Sequence, residues 1–570
     1  MKKYNITKKI LKHFTLSLVL TGILMVTNSC ETTELDHLNN PSRLTPDQAS
    51  EDLFINAIQL GLAAFFDSDN TDNFNGVNEF GMQLTRMVSA FGTTYQNLYG
   101  PSDLNGIYAD AYTGVMIDIR TLTPLAEEKG LYTHLGVAQV AEAYIMMTLV
   151  DYFGDFPYEE AFLGAENISP ALTPGEDIYA SVEQLLIDAV ANFNKEQASN
   201  IENDFFYDGD EEKWIKLANT LRIKLYTQSK LVDANAGSKI NAILTDATNS
   251  GGYISSSADD FQFNYSTTDV NPDSRHPLFG ISFDNGPADY IGNDFMNRLV
   301  NQKDVADASI DDPRTRYYIY RQELDFAEAN TQTKPCVVES KPAHYSADDP
   351  FCNSVGDGYW GRDNLDQDGI PPDQAFRTLF GVYPVGGPFD DGSGNNITNR
   401  NTGLIGAGSS MIMLSSYVQF MLAETALTSG VTGDARDYLE AGMTQSINKV
   451  MAFGEQLSDL PGALVPTAGD VTAYKDAILA KYDATATDDE KLDIIIEQYY
   501  LALWQNGVEA YNTYRRTGKP DLQPGLLAAP GVYMRSLLYP DALVNRNSSV
   551  STKPISTQVF WDTNPANFVD

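Results

Sequence analysis

Long segments with a helical spacing of apolar residues recur along the chain, and they limit its fold more than any other feature. These segments cover about residues 133–152, 211–232, 410–428, 434–453 and 487–508. Each would form a helix with an apolar face that must be buried against a neighbour. Because short turns separate several of the segments, we predict a mainly α fold of antiparallel helical hairpins. Paired helices that each lack a full core suggest tetratricopeptide-like stacking, but the repeat consensus is not visible, and the periodicity alone supports only the hairpins.

Two four-residue segments carry the signature of a helix start. Residues 45–48 read Thr-Pro-Asp-Gln, and residues 173–176 read Thr-Pro-Gly-Glu. A threonine side chain can cap the first turn, proline suits the first helical position, and Glu or Gln in the fourth position can complete a capping box. We therefore expect Thr45 and Thr173 to be the N-caps of two helices.

The middle of the chain has a different composition. The segment from about residue 250 to residue 407 is rich in Gly, Pro, Asp, Asn and aromatic residues, and its apolar residues seldom recur at helical spacing. An irregular segment of this length is usually functional or disordered, and its aromatic residues favour an ordered one. We predict a single domain over 45–570, in which a helical scaffold (about 45–250 and 408–520) carries this loop-rich insertion. An irregular segment over 521–570 completes the domain.

The first 29 residues have the layout of a secretory signal peptide. Five lysines accompany an apolar stretch over residues 14–26, which is too short to span a bilayer as a stable helix. Thr27, Asn28 and Ser29 then lead to Cys30, which resembles the lipidated first residue of a bacterial lipoprotein. We predict a signal peptide over 1–29 and a lipidated tether over 30–44, with the lipid as the sole membrane anchor. The alternative is an ordinary signal peptide followed by a chance cysteine.

The two remaining cysteines, Cys336 and Cys352, form a natural pair. An exported protein enters an oxidising compartment, where two cysteines about 16 residues apart in a loop can form a disulfide. We predict this disulfide, and two unpaired buried thiols are the alternative.

The charge of the chain excludes some partners. Asp and Glu number 77 against 38 Lys and Arg, so the net charge is −39. Such a chain repels the phosphates of nucleic acids and anionic lipid heads, which argues against a nucleic-acid-binding protein. The sequence has no G-x-S-x-G, H-E-x-x-H or P-loop motif, and its five histidines do not cluster. We predict that the protein is not an enzyme, although chance pairs of carboxylates leave a surface glycoside hydrolase as an alternative.

Several strings along the chain share one further property: they occur, in this order, in a single known family. They are LNNPS (38–42), YIMMTLVDYFGDFPYEEAF (144–162), KWIKLANTLRIKLY (213–226), GRDNLDQDGIPPD with GVYPVGGPFDD (361–373 and 381–391), and LALWQNGVEAYNTYRRTGKPDL with RSLLYP (501–522 and 535–540). With them the chain resembles the SusD/RagB family of outer-membrane nutrient-binding lipoproteins of Bacteroidetes-type bacteria.

The resemblance implies a fold and a role. The fold would be a SusD-like superhelix, in which tetratricopeptide-like helix pairs support an irregular ligand-binding half. The role would be that of a lipid-anchored protein on the outer membrane, facing the cell surface. It would capture oligo- or polysaccharide and deliver it to a SusC-like TonB-dependent barrel, without a cofactor. Capture of peptides is one alternative, and a helical-repeat scaffold without a small ligand is another.

Two of these strings also have a structural interpretation of their own. In the first, Gly154 can end a helix as a C-cap, and Pro157 prevents the helix from restarting. In the second, Arg515 and Arg516 lie at a predicted helix end, where cations complement the helix dipole. We therefore expect both strings to be structural.

Aromatic residues in the loop-rich segment are candidates for sugar binding. Sugars present apolar C–H faces, which an aromatic ring can cover, and hydroxyls, which polar side chains can bind. Of the four tryptophans, Trp360 alone lies in the Gly- and Asp-rich loop, next to Tyr359, whereas Trp214 and Trp504 lie in helical segments. We predict that Trp360 and Tyr359 contribute a binding platform, and packing within the loop is the alternative.

A second candidate region covers residues 90–106, between two helical segments. It combines the aromatic faces of Tyr95 and Tyr99 with the amides of Gln96 and Asn97. In the resembled family this part of the chain commonly reaches the ligand. We predict that these four residues contact the ligand, with ordinary packed tyrosines as the alternative.

One stretch has the beginning of a calcium-binding motif. Asn364, Asp366 and Asp368 have the spacing of the first ligands of an EF-hand, but the twelfth position is Ala375 where a bidentate Glu is required. A full EF-hand is therefore excluded. A looser Ca²⁺ site on these three residues remains a candidate, because some relatives bind Ca²⁺, and a polar turn is the alternative.

Replacing Cys30 by alanine should release the protein from membranes, because the predicted lipid is its only anchor. Fractionation of cells expressing Cys30→Ala would show the protein in the soluble fraction. Cys336→Ala is the matched control and should stay in the membrane fraction. Membrane retention of Cys30→Ala would mean that the lipid is absent or that a partner holds the protein.

Overall fold

The computed structural model describes residues 49–68, 76–245, 251–270, 272–284, 290–324, 339–351, 355–356, 358–366, 377–395 and 400–569. The chain divides into two units, residues 1–50 and residues 51–570. The helices, strands and cavities of the described residues all lie in the second unit.

Helices of eight or more residues dominate the described part of the chain. They are α1 (Glu51–Asp67), α2 (Val77–Leu84), α3 (Ile117–Lys129), α4 (Tyr132–Phe153), α5 (Gly175–Phe193), α6 (Glu211–Ser229), α7 (Ala236–Thr245), α8 (Asn293–Val300), α9 (Ser415–Ser429), α10 (Ala435–Gly454), α11 (Ala468–Ala484), α12 (Asp488–Ala502) and α13 (Gly507–Thr517). None of the described helices combines the length and the apolar character needed to cross a membrane.

Shorter helical turns and short strands complete the described structure. The turns are Tyr95–Asn97, Pro101–Leu104, Asn105–Ala109, Asp110–Met116, Gly164–Glu166, Ser257–Asp259, Pro277–Phe279, Gly280–Asp284, Thr315–Tyr318 and Asp541–Val544. The strands are β1 (Phe156–Pro157), β2 (Leu172–Thr173), β3 (Phe261–Asn264), β4 (Gln302–Lys303), β5 (Ser309–Ile310), β6 (Ile319–Tyr320), β7 (Leu379–Phe380) and β8 (Ser409–Met413). They form antiparallel pairs, β1 with β2, β3 with β8, β4 with β5 and β6 with β7.

The long helices pack as pairs in two groups. In the first group, α4 lies against α3 and α5, and α5 lies against α6. In the second group, α9 lies against α10 and α12, and α10 also contacts α11. Nearly every residue of α4 is buried, as expected for a helix that is apolar on all sides and surrounded by others. The prediction of a mainly α fold built from helical pairs is confirmed.

Two predicted helices have different bounds in the structure. The helix predicted from about residue 410 begins at Ser415, because residues 409–413 form β8 and pair with β3. The segment predicted as one helix over 487–508 divides into α12 and α13. Between them, Asn506 caps α13 by accepting the Glu509 N–H (3.1 Å), and its amide donates to two carbonyls at the end of β8. In both segments, hydrogen bonds with distant main chain limit the helix where the apolar periodicity alone predicts that it continues.

The D-Y-F-G-D-F-P string ends one helix and starts the next. Gly154 ends α4 with a φ of +78°, as predicted. Thr173, however, is not the N-cap of α5, because it lies in β2 and Pro174 occupies the N-cap. The carboxylate of Asp155 instead accepts the N–H of Gly175 at 2.8 Å. The other predicted start, at Thr45, lies outside the described residues.

A fully buried carboxylate joins four of the helices to the C-terminal segment. Asp151, on α4, has no exposed surface. Its carboxylate accepts hydrogen bonds from Tyr179, Lys224 (3.4 Å), Asn512 (2.7 Å) and Trp561 (3.0 Å). Its main-chain carbonyl accepts a further hydrogen bond from Arg515 (2.7 Å). A charge removed from water requires such partners, so these segments pack in the one register that supplies them.

A second buried ion pair joins α9 to α13. Both oxygens of Glu424 accept from the Arg516 guanidinium at 2.7 Å, and Lys230 lies 2.7 Å away. Arg515 and Arg516 are therefore structural, as expected, although they act as buried partners and not as surface charges at a helix end. Burial alone would raise the pKa of Glu424, but the two cations outweigh it and lower this pKa to about 2.

Substituting Glu424 by glutamine should destabilise the fold strongly, because Arg516 and Lys230 would remain buried without their counter-ion. We expect a loss of about 3–5 kcal/mol in the free energy of unfolding at pH 7. The folded pKa lies below the unfolded value, so the stability from Glu424 is present above pH 4.5 and is lost as the pH falls towards 2. Denaturant unfolding across this pH range would measure both effects.

Glu440→Gln is the matched control, because Glu440 is half-exposed and its ion pair with Lys475 spans 3.3 Å at the surface. An exposed pair of this kind contributes less than about 1 kcal/mol. Equal losses of stability in the two variants would contradict the assigned role of Glu424.

Candidate ligand-binding site

The loop that follows α2 is fixed from beneath by Tyr95. Its side chain is only 1% exposed, and its ring packs edge-on against Tyr533 at 5.1 Å. Its hydroxyl accepts hydrogen bonds from Arg86 (2.8 Å) and Asn364 (3.4 Å). The prediction that Tyr95 presents its face to a ligand is wrong, since both the ring and the hydroxyl are used inside the fold.

Gln96 and Asn97 lie at the surface, on the same helical turn. Both side chains are exposed, while the turn itself is closed by a hydrogen bond from the Asn97 N–H to the Thr94 carbonyl (3.1 Å). Burial of Tyr95 thus orders a turn whose next two side chains face solvent. Gln96 and Asn97 stay predicted ligand contacts.

Tyr99 lines a cavity of about 390 Å³ at the surface. We call it the Tyr99 cavity, and its lining residues are Glu79, Phe80, Tyr99, Ser102, Asp103 and Gly106. It lies between α2 and the two helical turns over residues 101–109. The structure therefore places one of the six predicted ligand-binding residues in this cavity.

The ring of Tyr99 is held in a defined orientation. It packs edge-on against Phe80, with the ring centroids 4.8 Å apart. Its hydroxyl donates to Oε1 of Gln83 (2.5 Å), and the amide of Gln83 donates to Oε1 of Glu79 (3.0 Å). A fixed aromatic face loses little entropy when a ligand stacks on it.

Helix α2 is itself placed by a close backbone crossing with α13. A Cβ atom on Gly81 would lie 2.0 Å from the carbonyl oxygen of Gly507, so only glycine allows this approach. The hydroxyl of Tyr152, on α4, donates to the Val77 carbonyl at the start of α2 (2.9 Å). The cavity wall that carries Phe80 and Glu79 is therefore anchored to the helical scaffold.

The chemical groups of the Tyr99 cavity suit a polyhydroxylated ligand. Tyr99 is half-buried and supplies an aromatic surface, while Ser102 and Asp103 are exposed on the rim. Asp103 also accepts the Gly100 N–H (2.8 Å), which fixes its carboxylate. Carboxylates accept hydrogen bonds from hydroxyls, and a serine hydroxyl can both donate and accept. Such a mixture of apolar surface and a few fixed polar groups is typical of small-molecule sites.

The two regions proposed from sequence are neighbours in the fold. The backbone at Val88 pairs with Ile291, and the next residue, Gly292, pairs with Arg362. The Leu365 N–H donates to the Ala90 carbonyl (3.1 Å). The segment after α2 therefore runs beside the segment that contains Tyr359 and Trp360, which no local sequence signal indicates.

Trp360 is not an exposed platform. Its side chain is 2% exposed, and its main chain exchanges hydrogen bonds with Thr378 at 2.8 and 2.9 Å. Tyr359 is also buried, with its hydroxyl 3.3 Å from Asp390 and the Arg321 guanidinium 4.7 Å from its ring centroid. The prediction that Trp360 is an exposed platform is wrong, and the alternative of packing within the loop is correct for Trp360. Tyr359 lines a second cavity of the fold, so its contact with a ligand stays a prediction.

The remaining predicted sites are only partly within the described residues. Asn364 is buried against Tyr95, and Asp366 forms an ion pair with Arg362 at 3.0 Å, so both have protein partners. Asp368 lies outside the described residues, and the Ca²⁺ site stays a prediction. In the described part of the chain, no group of three His, Cys, Asp or Glu residues could hold a metal ion. The lipid site at Cys30 and the disulfide between Cys336 and Cys352 also lie outside the described residues.

His276 has a structural role in its loop. Its Nδ1 accepts the N–H of Leu278 at 3.2 Å, and its ring packs on Tyr265. Burial lowers the pKa of His276 to about 3, so the ring stays neutral at physiological pH. It does not line the Tyr99 cavity.

One wall of the cavity was not predicted from the sequence, and the lining residues of the other were not singled out. Glu79 and Phe80 lie in α2, a helix of eight residues that is too short to give a clear period. Ser102, Asp103 and Gly106 lie within the 90–106 segment, but no feature of that segment distinguishes them from their neighbours. Only the packing of this segment on α2 brings the two groups together.

Trp360→Ala should destabilise the protein, because it removes a large buried side chain. The expected loss is about 3–5 kcal/mol in the free energy of unfolding, which thermal or denaturant unfolding would detect. Gln96→Ala, at an exposed position, is the control and should unfold as the wild type does. A normal melting temperature for Trp360→Ala would show that the side chain is not part of the core.

Comparison with known proteins identifies the architecture. A family model described as "Starch-binding associating with outer membrane" matches residues 41–335, and one described as "Susd and RagB outer membrane lipoprotein" matches residues 395–555. No curated protein shows a significant match to the sequence.

Solved structures of SusD homologues share the fold. One from Bacteroides fragilis is 20% identical with a TM-score of 0.62, covering 91% of this chain and 100% of the homologue. One from Parabacteroides distasonis is 17% identical with a TM-score of 0.64, covering 90% and 98%. A chitin-binding SusD homologue from Flavobacterium johnsoniae is 19% identical with a TM-score of 0.59, covering 90% and 99%. Together with the matches to both family models, the shared fold shows that this chain belongs to the SusD/RagB family of outer-membrane lipoproteins.

Proposed function

We propose that this protein captures oligo- or polysaccharide at the cell surface and delivers it to a SusC-like TonB-dependent transporter. It would be held on the outer membrane by a lipid on Cys30. It would bind the glycan without cleaving it.

The Tyr99 cavity carries this proposal. A half-buried aromatic ring, fixed by Phe80 and Gln83, lies beside an exposed hydroxyl and an exposed carboxylate. A sugar ring offers a C–H face to the aromatic surface and hydroxyls to Ser102 and Asp103. The exposed amides of Gln96 and Asn97, on the preceding turn, would extend the contact to a neighbouring sugar unit.

The relatives support a glycan as the ligand. The description of one matching family model names starch, and two of the similar solved structures are described as chitin-binding. Starch and chitin are both uncharged polysaccharides. An uncharged ligand also suits this chain, because a net charge of −39 would repel an anionic one.

Binding without catalysis is the simpler role for the cavity. Glycoside hydrolysis requires two carboxylates at one of two fixed separations, on either side of the scissile bond. Glu79 is tied to Gln83 at one wall, and Asp103 is tied to the Gly100 N–H at the rim. Both carboxylates are thus engaged in holding the cavity, which favours a binding role for each of them.

A binding screen tests the proposal directly. The mature soluble chain, starting at Glu31, would be titrated calorimetrically with chitohexaose, maltoheptaose and a mixed peptide digest, with product analysis of each positive. Binding of an oligosaccharide without turnover supports glycan capture. Binding of peptides alone would move the ligand from sugar to protein, and turnover would contradict a pure binding role. Co-purification with a SusC-like barrel would test delivery.

Tyr99→Ala should weaken binding of the oligosaccharide at least tenfold, or by about 1.4 kcal/mol, because it removes the stacking surface. The melting temperature should change little, since Tyr99 is only half-buried. Tyr438→Ala is the matched control: this tyrosine is also half-buried, lies on α10 and does not line the cavity. Unchanged affinity in Tyr99→Ala would place the ligand elsewhere.

A further inference from the structure

A second cavity, of about 530 Å³, lies between the β4–β5 hairpin, the loop before α11 and the segment that carries Tyr359. We call it the hairpin cleft and define it by Ile310, Asp311, Arg316, Tyr359, Val465 and Asp470. Its volume falls within the range of roughly 300–1,000 Å³ that small-molecule sites occupy. It shares no lining residue with the Tyr99 cavity.

The floor of the hairpin cleft is fixed by a buried ion pair. Asp312 accepts from the Arg314 guanidinium at 2.9 and 2.6 Å, and both side chains are fully buried. The hydroxyl of Tyr474, on α11, lies 2.9 Å from the same carboxylate. The hairpin side and the α11 side of the cleft are therefore joined through one set of satisfied hydrogen bonds.

The third wall is fixed in the same way. The buried carboxylate of Asp390 accepts from Nε of Arg321 (2.7 Å) and lies 3.3 Å from the Tyr359 hydroxyl. Tyr359 is thus held between a carboxylate and a guanidinium. A cleft with such walls exists before any ligand arrives, which lowers the entropic cost of binding.

Groups able to bind a ligand remain on the rim. The Arg316 side chain is 32% exposed, and its Nη1 donates to the Asp390 carbonyl at 2.8 Å. A guanidinium has five N–H donors, so this bond leaves others for a ligand. Asp311 and Asp470 are exposed and offer carboxylate oxygens, while Ile310 and Val465 supply apolar surface between them.

The charges of the cleft select the class of ligand. The charges within each buried ion pair, Asp312–Arg314 and Asp390–Arg321, cancel. The rim carries the carboxylates of two aspartates, Asp311 and Asp470, and the guanidinium of Arg316. This small negative excess, on a chain of net charge −39, disfavours an anionic ligand. A metal ion is disfavoured too, since the described residues contain no group of three suitable ligands. Donors and acceptors around an apolar surface instead match an uncharged polyol.

We propose that the hairpin cleft is a second saccharide-binding site, which takes a short uncharged segment of glycan independently of the Tyr99 cavity. The proposal rests on the proposed function, because it assumes that the chain binds glycan. In this site Arg316 donates to sugar oxygens, and Asp311 and Asp470 accept from sugar hydroxyls. The apolar C–H face of the sugar lies against Ile310 and Val465.

Calorimetric titration of the mature chain with chitohexaose and with maltoheptaose tests the proposal by counting bound molecules. Ala473→Trp fills the cleft from α11, because Ala473 lines it and is exposed. Ala480→Trp is the matched control, since Ala480 is exposed on the same helix and does not line the cleft. We expect two oligosaccharide molecules per wild-type or Ala480→Trp chain, and one per Ala473→Trp or Tyr99→Ala chain.

The other binding ratios show whether the hairpin cleft, the Tyr99 cavity or neither binds the oligosaccharide. One molecule per wild-type chain, lost in Tyr99→Ala but kept in Ala473→Trp, overturns the second site and leaves the proposed function standing. Two molecules per Ala473→Trp chain also overturn it. Absence of binding to the wild-type chain would overturn both proposals. If Ala473→Trp does not fold, the double variant Asp311→Ala/Arg316→Ala should lower the affinity of one of the two sites at least tenfold, and unchanged affinity would overturn the second site.

Discussion

The buried carboxylate of Asp151 is the interaction on which the helical scaffold depends. Tyr179, Lys224, Asn512 and Trp561 reach it from α5, α6, α13 and the C-terminal segment. A charge without partners in a protein interior is costly by several kcal/mol, so alternative packings that separate these segments are strongly disfavoured. Hydrophobic burial drives these helices together without specifying a register, since it is not directional. The contacts of Asp151, together with the pair between Glu424 and Arg516 of helix α13, supply that register.

The position of the candidate site depends on these buried contacts through a short series of further contacts. Asn512 and Arg516 fix α13, and the close approach of Gly507 to Gly81 places α2 on it. Helix α2 then presents Phe80 and Gln83, which orient the ring of Tyr99. The loop-rich half uses the same device, since the buried carboxylates of Asp312 and Asp390 pair with arginines and fix the walls of the hairpin cleft. The described parts of the loop-rich segment are thus held in place with little secondary structure of their own.

Local signals predicted what local interactions decide. The helix expected over about 133–152 appears as Tyr132–Phe153, because its apolar pattern and the glycine that ends it lie within the segment. Prediction failed where a distant segment intervenes. Residues 409–413 form a strand because they pair with residues 261–264, about 150 positions earlier. The N–H of Gly175 is bound by Asp155 from the preceding helix end, so Thr173 is free to join a strand.

The sequence by itself determined the helical class of the fold, the positions of most long helices and the membership of the family, because these depend on periodicity, capping residues and linear strings. It also identified the 90–106 segment as a candidate ligand contact. Only the tertiary structure decided which aromatic residues could meet a ligand. Trp360 is buried, and Tyr95 is buried against Tyr533, far away in the chain, whereas Tyr99, four residues after Tyr95, lines an open cavity. Exposure of a side chain is set by what packs over it, and that depends on contacts between distant segments that no local pattern encodes.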